Sequence, residues 1–387
     1  MKILQVLTYY RPHTSGLTIF TERLATALAA RGHEVTVMTS QFDPTTPRDS
    51  VADGVRVVRV PVMFRISKGV IMPTIGLVAT RLVRQHDVVH LHLPQFDAFG
   101  VGLRARLFGK PAVLTYHCDL KLPPGLFNAA VNQVVHVMND LAGRTCHRLV
   151  TYTPDFAAGS PFLQRFADKV ETILPPVELP AANDAAVRAL AASTGTEHRH
   201  PVIGMATRFA SEKGVEVLLD ALPTIRARFP DATVLYAGQH EDVLGEQAYF
   251  DRLAPTIAEL EAAGAWHFLG VLSPAEMAAY YPNLDVLVVP SLNRTESFGL
   301  VQIEAMMHGV PVVASDLPGV RQPVALTGMG EVAAIGDADD LAAKMLAVLD
   351  RPEAYAGDPA EVARRFTPDA CAAGYEALFE SLLTARR

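Results

Sequence analysis

Val286-Leu-Val-Val-Pro290 is an apolar run closed by proline, and a polar turn, Ser291-Leu-Asn-Arg-Thr295, follows it directly. Next comes Glu296-Ser-Phe-Gly-Leu-Val-Gln-Ile-Glu304, two carboxylates eight residues apart with a glycine in the first half and helix formers in the second. Ala305-Met-Met307 extends it, His308-Gly309 stops it, and Val310-Pro-Val-Val-Ala314 is another apolar strand. The order strand, loop, helix, strand places the carboxylates around a helix N-terminus. Ligands in open α/β sheets bind outside the carboxyl ends of the strands, and free amides at a helix start favour phosphate. Amides from about Phe298 to Leu300 can therefore meet a diphosphate, with Glu296 in the loop and Glu304 two turns into the helix. Carboxylates accept hydrogen bonds from sugar or ribose hydroxyls, so a phosphate flanked by sugars fits this layout. The competing reading is an ordinary amphipathic helix with two exposed glutamates.

The same alternation extends in both directions. Ile3 to Tyr9 reads as a buried strand, and Leu17 to Arg31 as a helix with Leu17, Phe20, Leu24 and Leu28 on one face, ended by Gly32. Further strands are expected at Val35 to Thr39, Val55 to Val60, Val88 to Leu93, Ala112 to Tyr116 and Leu149 to Tyr152. The pattern pauses at Pro175-Pro176 and through the polar stretch Ser193 to His200, then resumes at Val202-Ile-Gly-Met-Ala206. Two α/β domains follow, each a mainly parallel sheet with helices on both faces, joined near 176–200 around an active cleft.

Composition narrows the class. Of 387 residues half are apolar and 19% charged, which is globular and long enough for two or three domains. Val70 to Ala79, the most apolar stretch, is too short to span a membrane and is broken by Pro73 and Gly76. The opening Met1-Lys-Ile-Leu-Gln-Val-Leu7 reads as a core strand and not a signal peptide. Cys118, Cys146 and Cys371 are too scattered for a disulfide framework or a zinc site, so a reducing cytoplasm is the simplest home.

The net charge of −7 hides a division. Residues 1–178 hold 19 Lys and Arg against 13 Asp and Glu, net +6, and the remainder 15 against 28, net −13. Arg56, Arg59, Arg65, Lys68, Arg81, Arg84, Arg104, Arg106 and Lys110 make up the basic cluster. No aromatic stacking pattern accompanies them, so nucleic acid is not the expected partner. An anionic membrane surface or an acidic acceptor fits better, and a purposeless solvated face competes with both.

Ala206-Thr-Arg-Phe-Ala-Ser-Glu-Lys-Gly214 puts Arg208 and Lys213 between a strand and a helix, where two cations can neutralise a diphosphate leaving group. The alternative there is a helix-start salt bridge from Glu212. Arg11-Pro-His-Thr-Ser-Gly16 is a loop into a helix but no G-x-G-x-x-G, which disfavours a nicotinamide dinucleotide. His117, in Thr115-Tyr-His-Cys-Asp119, should project at the sheet's carboxyl edge and hydrogen-bond a sugar hydroxyl. His90 and His92 share one strand face without a third metal ligand, so a structural role is favoured, and Asp337-Ala-Asp339 reads as an acidic turn.

Together these residues resemble glycosyltransferase family 4, the retaining nucleotide-sugar enzymes of GT-B fold. The resemblance covers nearly the whole chain. It is carried by Pro12 to Gly16, Arg31-Gly-His-Glu-Val-Thr-Val37, Tyr116-His117, Pro175-Pro-Val177, Arg208 with Lys213-Gly214, the Glu296 and Glu304 pair, and Pro318-Gly319. It implies a GT-B architecture of two Rossmann-like doubly wound domains facing an interdomain cleft. The acceptor-side domain would be 1–178, with a C-terminal helix at about 370–387 packing back on it, and the nucleotide-sugar domain 179–369. The resemblance assigns Glu304 to the nucleotide ribose and Glu296 to the donor sugar hydroxyls. Ser297 and the amides of Phe298, Gly299 and Leu300 go to sugar and phosphate, and Arg208 and Lys213 to the diphosphate. His117 would sit by the transferred sugar, Gly16 and Ser15 by the donor, and Val271 would offer backbone to the base. The family usually has glycine where Ser15 stands, and a Cβ restricts the backbone there.

The expected reaction moves a hexosyl unit from a UDP- or GDP-linked sugar to a hydroxyl acceptor, lipid-linked in the narrower reading, with no cofactor and no metal. The partners are then the nucleotide sugar, the acceptor and an anionic membrane at the inner face. A GT-B-fold epimerase would need acid/base carboxylates in the first domain, for which Asp97 and Asp119 are the candidates.

Overall fold

The computed structural model describes residues 1–66, 69–120 and 126–385, so Lys68 of the basic cluster lies outside the described residues. Contacts divide the chain into two compact units, Met1–Val177 with Phe366–Arg387, and Glu178–Arg365.

In the first unit eight strands lie in the order Val170–Thr172, Arg148–Thr151, Ala112–Tyr116, Val88–Leu93, Lys2–Val6, Glu34–Gln41, Val55–Pro61, Asp49–Ala52. All pairs are parallel except the last, which is antiparallel. The central strands are almost wholly buried, polar Gln5, His90, His92 and Thr115 included, because helices cover both faces. The chain begins mid-sheet at Lys2–Val6, builds outward through Glu34–Gln41, then reverses to Val88–Leu93 on the other side. Short exposed edge strands such as Asp49–Ala52 were not predicted, since they carry no apolar run.

The helix Pro368–Thr384 belongs to this first unit. Arg31 binds Glu376 at 2.5 Å and Asp369 at 2.7 Å, and Tyr375 reaches inward to share a hydrogen bond with Thr115 at 2.7 Å. Thr115 also bonds the His90 ring at 2.7 Å. His90 and His92 do share one strand face, their ring centroids 4.2 Å apart with the planes tilted by 41°, and both rings are fully buried.

Six parallel strands form the second sheet, ordered Trp266–Gly270, Thr233–Ala237, Val202–Ala206, Val286–Val289, Val312–Ser315, Gly330–Ala333. Here too the chain starts mid-sheet, and its direction of growth reverses between Val202–Ala206 and Val286–Val289. The stretch expected as a pause contains a helix, Asp184–Thr194, capped by Asn183 and ended by Gly195 in the left-handed region. It packs on the second unit, where Asn283 donates to the Val187 carbonyl at 3.2 Å. Among the described residues no helix is long and apolar enough to cross a membrane. The apolar run from Val70 is shared between the strand Gly69–Ile71 and the helix Ile75–Gln85.

Candidate active site

The reversal in the second sheet leaves two loops side by side at the strands' carboxyl ends, 207–214 and 290–299, the position where open α/β sheets bind ligands. Packing stitches them together. Gly214 has φ +70°, and a Cβ there would stand 2.1 Å from the Pro290 carbonyl oxygen, so glycine alone lets the two backbones meet. Leu292 N donates to the Glu212 carbonyl at 2.9 Å. Lys213 Nζ lies 2.7 Å from Glu296 Oε2, with the two side chains 15% and 22% exposed. Thr207, Pro290 and Ser291 join this pair around a small hollow.

The salt bridge expected as the alternative at the Arg208 loop is present. Arg208 is ion-paired with Glu212, while Lys213 is turned to the other loop. Phe209 anchors the loop, fully buried against Tyr236, Tyr249, Phe250 and Phe268. Glu246, also buried, accepts from Ser211 N at 3.0 Å and fixes the turn before Lys213. Sequence reasoning missed Glu246, because its partner lies 35 residues away.

Glu304 sits one turn into the helix Leu300–Met306, not two, because Gly299 at φ +77° starts that helix. It is only 8% exposed, so an ordinary amphipathic helix with two exposed glutamates does not describe it. Tyr281 OH donates to its carboxylate at 2.8 Å and thereby fixes it, a role that the sequence did not mark. Ser297 and Phe298 are buried, and Leu300 opens the helix. Gln302 Nε2 donates to Phe298 O at 2.7 Å and Val320 O at 2.9 Å, tying the helix start to the loop after Val312–Ser315. Val271, 70% exposed, follows the edge strand Trp266–Gly270 at the same end of the sheet.

In the first unit Ser15 is a helix cap. Its Oγ accepts from Thr18 N at 3.2 Å, and its φ of −157° is extended backbone that any residue adopts, so its Cβ introduces no restriction. Above Gly16 a Cβ would meet nothing within 4 Å. His117 follows the strand Ala112–Tyr116 but is 5% exposed. Its Nδ1 shares a hydrogen bond with Tyr152 OH at 2.5 Å and its Nε2 with His92 Nδ1 at 3.0 Å. Burial holds its pKa down at about 3, so the ring is neutral, and a sugar hydroxyl reaching it would exchange with one of these partners. Asp337 caps a helix, accepting from Asp340 N at 2.9 Å. Among the described residues no three His, Cys, Asp or Glu are grouped to hold a metal ion.

Residues 188–365 match the family of glycosyl transferases group 1, and residues 15–176 match the glycosyl transferase 4-like domain. The chain is 28% identical to a phosphatidyl-myo-inositol mannosyltransferase of Mycolicibacterium smegmatis, covering 94% of this chain and 89% of that one. It is 29% identical to a GDP-mannose-dependent alpha-mannosyltransferase of the same organism, covering 84% and 82%. Anabaena HepE, solved in complex with UDP, superposes with a TM-score of 0.77 at 19% identity, covering 98% of this chain and 100% of that one.

Proposed function

This chain belongs to glycosyltransferase family 4, nucleotide-sugar-dependent enzymes of GT-B fold, and from that premise we propose that it moves a hexosyl unit from a UDP- or GDP-linked sugar to a hydroxyl acceptor with retention of configuration. The observation that carries the donor site is the Lys213–Glu296 pair bridging the two loops at the sheet's reversal. Lys213, with Arg208 beside it, neutralises the diphosphate as the anomeric C–O bond breaks, an electrostatic contribution that grows toward the transition state. Glu296 accepts hydrogen bonds from the donor sugar, and Glu304, held by Tyr281, accepts from the ribose. The amides of Phe298, Gly299 and Leu300, with Ser297, face sugar and phosphate, and Val271 offers backbone to the base. Ser15 and Gly16 can offer a ligand backbone only, since the Ser15 hydroxyl is committed to its helix. The acceptor oxygen bonds the anomeric carbon on the face the diphosphate leaves, and its proton passes to the leaving phosphate.

An epimerase is disfavoured, because the matched families and the relatives named above are glycosyltransferases. Of its two candidate carboxylates, Asp119 gives one oxygen, Oδ1, to structure, accepting from Tyr116 OH at 2.9 Å and Ser160 Oγ at 2.7 Å. Incubation with a panel of nucleotide sugars tests the assignment. Transfer requires an acceptor, and without one the expected outcome is at most slow hydrolysis. Conversion of the donor sugar to its epimer would contradict the assignment. In the same assay we expect EDTA to leave the rate unchanged, since cations and amides supply the charge a metal would bring. Activity abolished by chelation and restored by a divalent ion would refute a metal-independent mechanism.

We propose further that the acceptor is lipid-linked and that the enzyme works at the inner face of an anionic membrane. The Mycolicibacterium relative named for phosphatidyl-myo-inositol supports this. So does the exposed face of the helices Ile75–Gln85 and Ala98–Leu107, where Leu77 and Leu107 are 77% and 73% exposed beside exposed Arg81, Arg84 and Arg106. The basic cluster is smaller in space than in sequence. Arg56 is paired with Asp49, Arg59 and Arg65 bind loop carbonyls, and Arg104 and Arg106 bind helix carbonyls. At roughly 1 kcal/mol for each remaining basic side chain, attachment should be weak and salt-sensitive. Sedimentation should show binding to anionic but not neutral liposomes at low salt, lost at high salt. Failure to bind either, with full activity on a soluble acceptor, would remove the membrane from the proposal.

A further inference from the structure

Asp97 stands apart among the half-buried charges of the first unit. It precedes the helix Ala98–Leu107, four residues past the strand Val88–Leu93, yet its carboxylate makes no cap hydrogen bond. No hydrogen bond or ion pair to it occurs among the described residues. Burial alone lifts its pKa to about 6. Such a group, at the carboxyl edge of a sheet and short of partners, marks a candidate ligand contact.

What it faces is largely apolar. Asp97 lines a hollow of about 200 Å³ with Ile75, Ala79, Phe96, Val101 and Met138. An apolar cavity of ~150 Å³ already holds a benzene-sized group, so there is room for several methylenes. Gly100 keeps one wall open, because a Cβ there would come no closer than 3.5 Å to its nearest neighbour, Arg104 Nη1. Arg104 closes the far end, its guanidinium donating to Gly76 O at 3.1 Å, Thr80 Oγ1 at 3.0 Å and Gly100 O at 2.7 Å. With its guanidinium turned to these three acceptors, Arg104 makes no ion pair with Asp97 among the described residues.

The chemistry of the occupant follows. A carboxylate only accepts, so its partner must donate. A cationic donor is disfavoured by Arg104 in the hollow and by exposed Arg81, Arg84 and Arg106 on the same two helices. A neutral hydroxyl meets no such repulsion. We propose that this hollow seats a hydroxyl-bearing lipid acceptor, with one headgroup hydroxyl donating to Asp97 and the first methylenes of its chain lying over Ala79, Val101 and Met138. This rests on the lipid-linked acceptor reading and adds to it the residues that select the acceptor.

Octyl β-D-glucopyranoside below its micelle concentration is a suitable probe on the full chain, against glucose and octyltrimethylammonium. Wild type should bind the glucoside at least tenfold more tightly than either. Asp97→Leu removes the acceptor atom, and Gly100→Leu fills the hollow while replacing a helix-interior glycine with a better helix former. Each should weaken glucoside binding at least tenfold and leave UDP and GDP binding unchanged. Should Gly100→Leu fail to fold, Asp97→Leu carries the test. Glucoside binding no tighter than glucose, unchanged binding in the variants, or equal binding of the cationic amphiphile would overturn the proposal. Absence of UDP and GDP binding alone would count against the transferase reading and leave this hollow's ligand standing.

Discussion

Lys213→Ala and Glu296→Ala are each expected to lower kcat/KM on the order of 10²-fold or more, the loss typical of transition-state contacts. The two side chains meet at 2.7 Å across loops held together by Gly214 against Pro290 and by the Leu292–Glu212 hydrogen bond. That scaffold does not depend on the ion pair, so the variants should fold. Deleting either partner leaves the other charge largely enclosed and unpaired, so some loss of stability is expected too. Melting curves would separate the two effects. A correctly folded variant of either residue with near wild-type turnover would remove the pair from the site.

Acidification to pH 5.5 should destabilise the protein steeply, long before most carboxylates titrate. His90 and His117 are buried neutral with pKa values near 3, and His92 is held well below 6.5 by burial and its neighbouring rings. Their folded pKa values lie below the unfolded one. The stability they contribute is therefore present above pH 6.5 and lost as pH falls through the interval toward 3. One unit below 6.5, each of the two rings near 3 forfeits on the order of 1 kcal/mol, with His92 adding in the same direction. Asp97 opposes them. Its raised pKa of about 6 means stability is regained as pH falls from 6 toward 4. One opposing carboxylate against three rings leaves a net loss, and against a typical total of about 5–15 kcal/mol the loss is large. Tm measured from pH 7.5 to 5.5 should drop clearly. A flat profile would mean that the rings take up protons in the folded state.

Much of this was legible in the sequence where a single segment holds its own signal. The Val286–Glu304 stretch carries its strand, turn, glycine and helix start in consecutive residues. The helix Asp184–Thr194 had its signals too, an Asn183 cap and a Gly195 stop. Its alanine-rich run shows no apolar stripe, however, because Val187 and Leu190 are its only large apolar residues. What could not be read is pairing across distance. Tyr281 reaches Glu304 over 23 residues, Tyr152 reaches His117 over 35, and Tyr375 reaches Thr115 over 260. The sequence places His117 at a sheet edge, but only tertiary contacts reveal that both ring nitrogens are already engaged.

Nucleoside diphosphate binding tests the donor site most directly, because it needs neither the sugar nor the acceptor to be known. UDP or GDP, titrated against the metal-free protein and followed by its melting temperature, should stabilise it by mass action, about 2.7 kcal/mol at a hundredfold excess over Kd. Lys213→Ala should lose most of that gain at the same concentration. No stabilisation by either nucleotide, or an undiminished gain in the folded variant, would contradict a diphosphate held where the second sheet reverses.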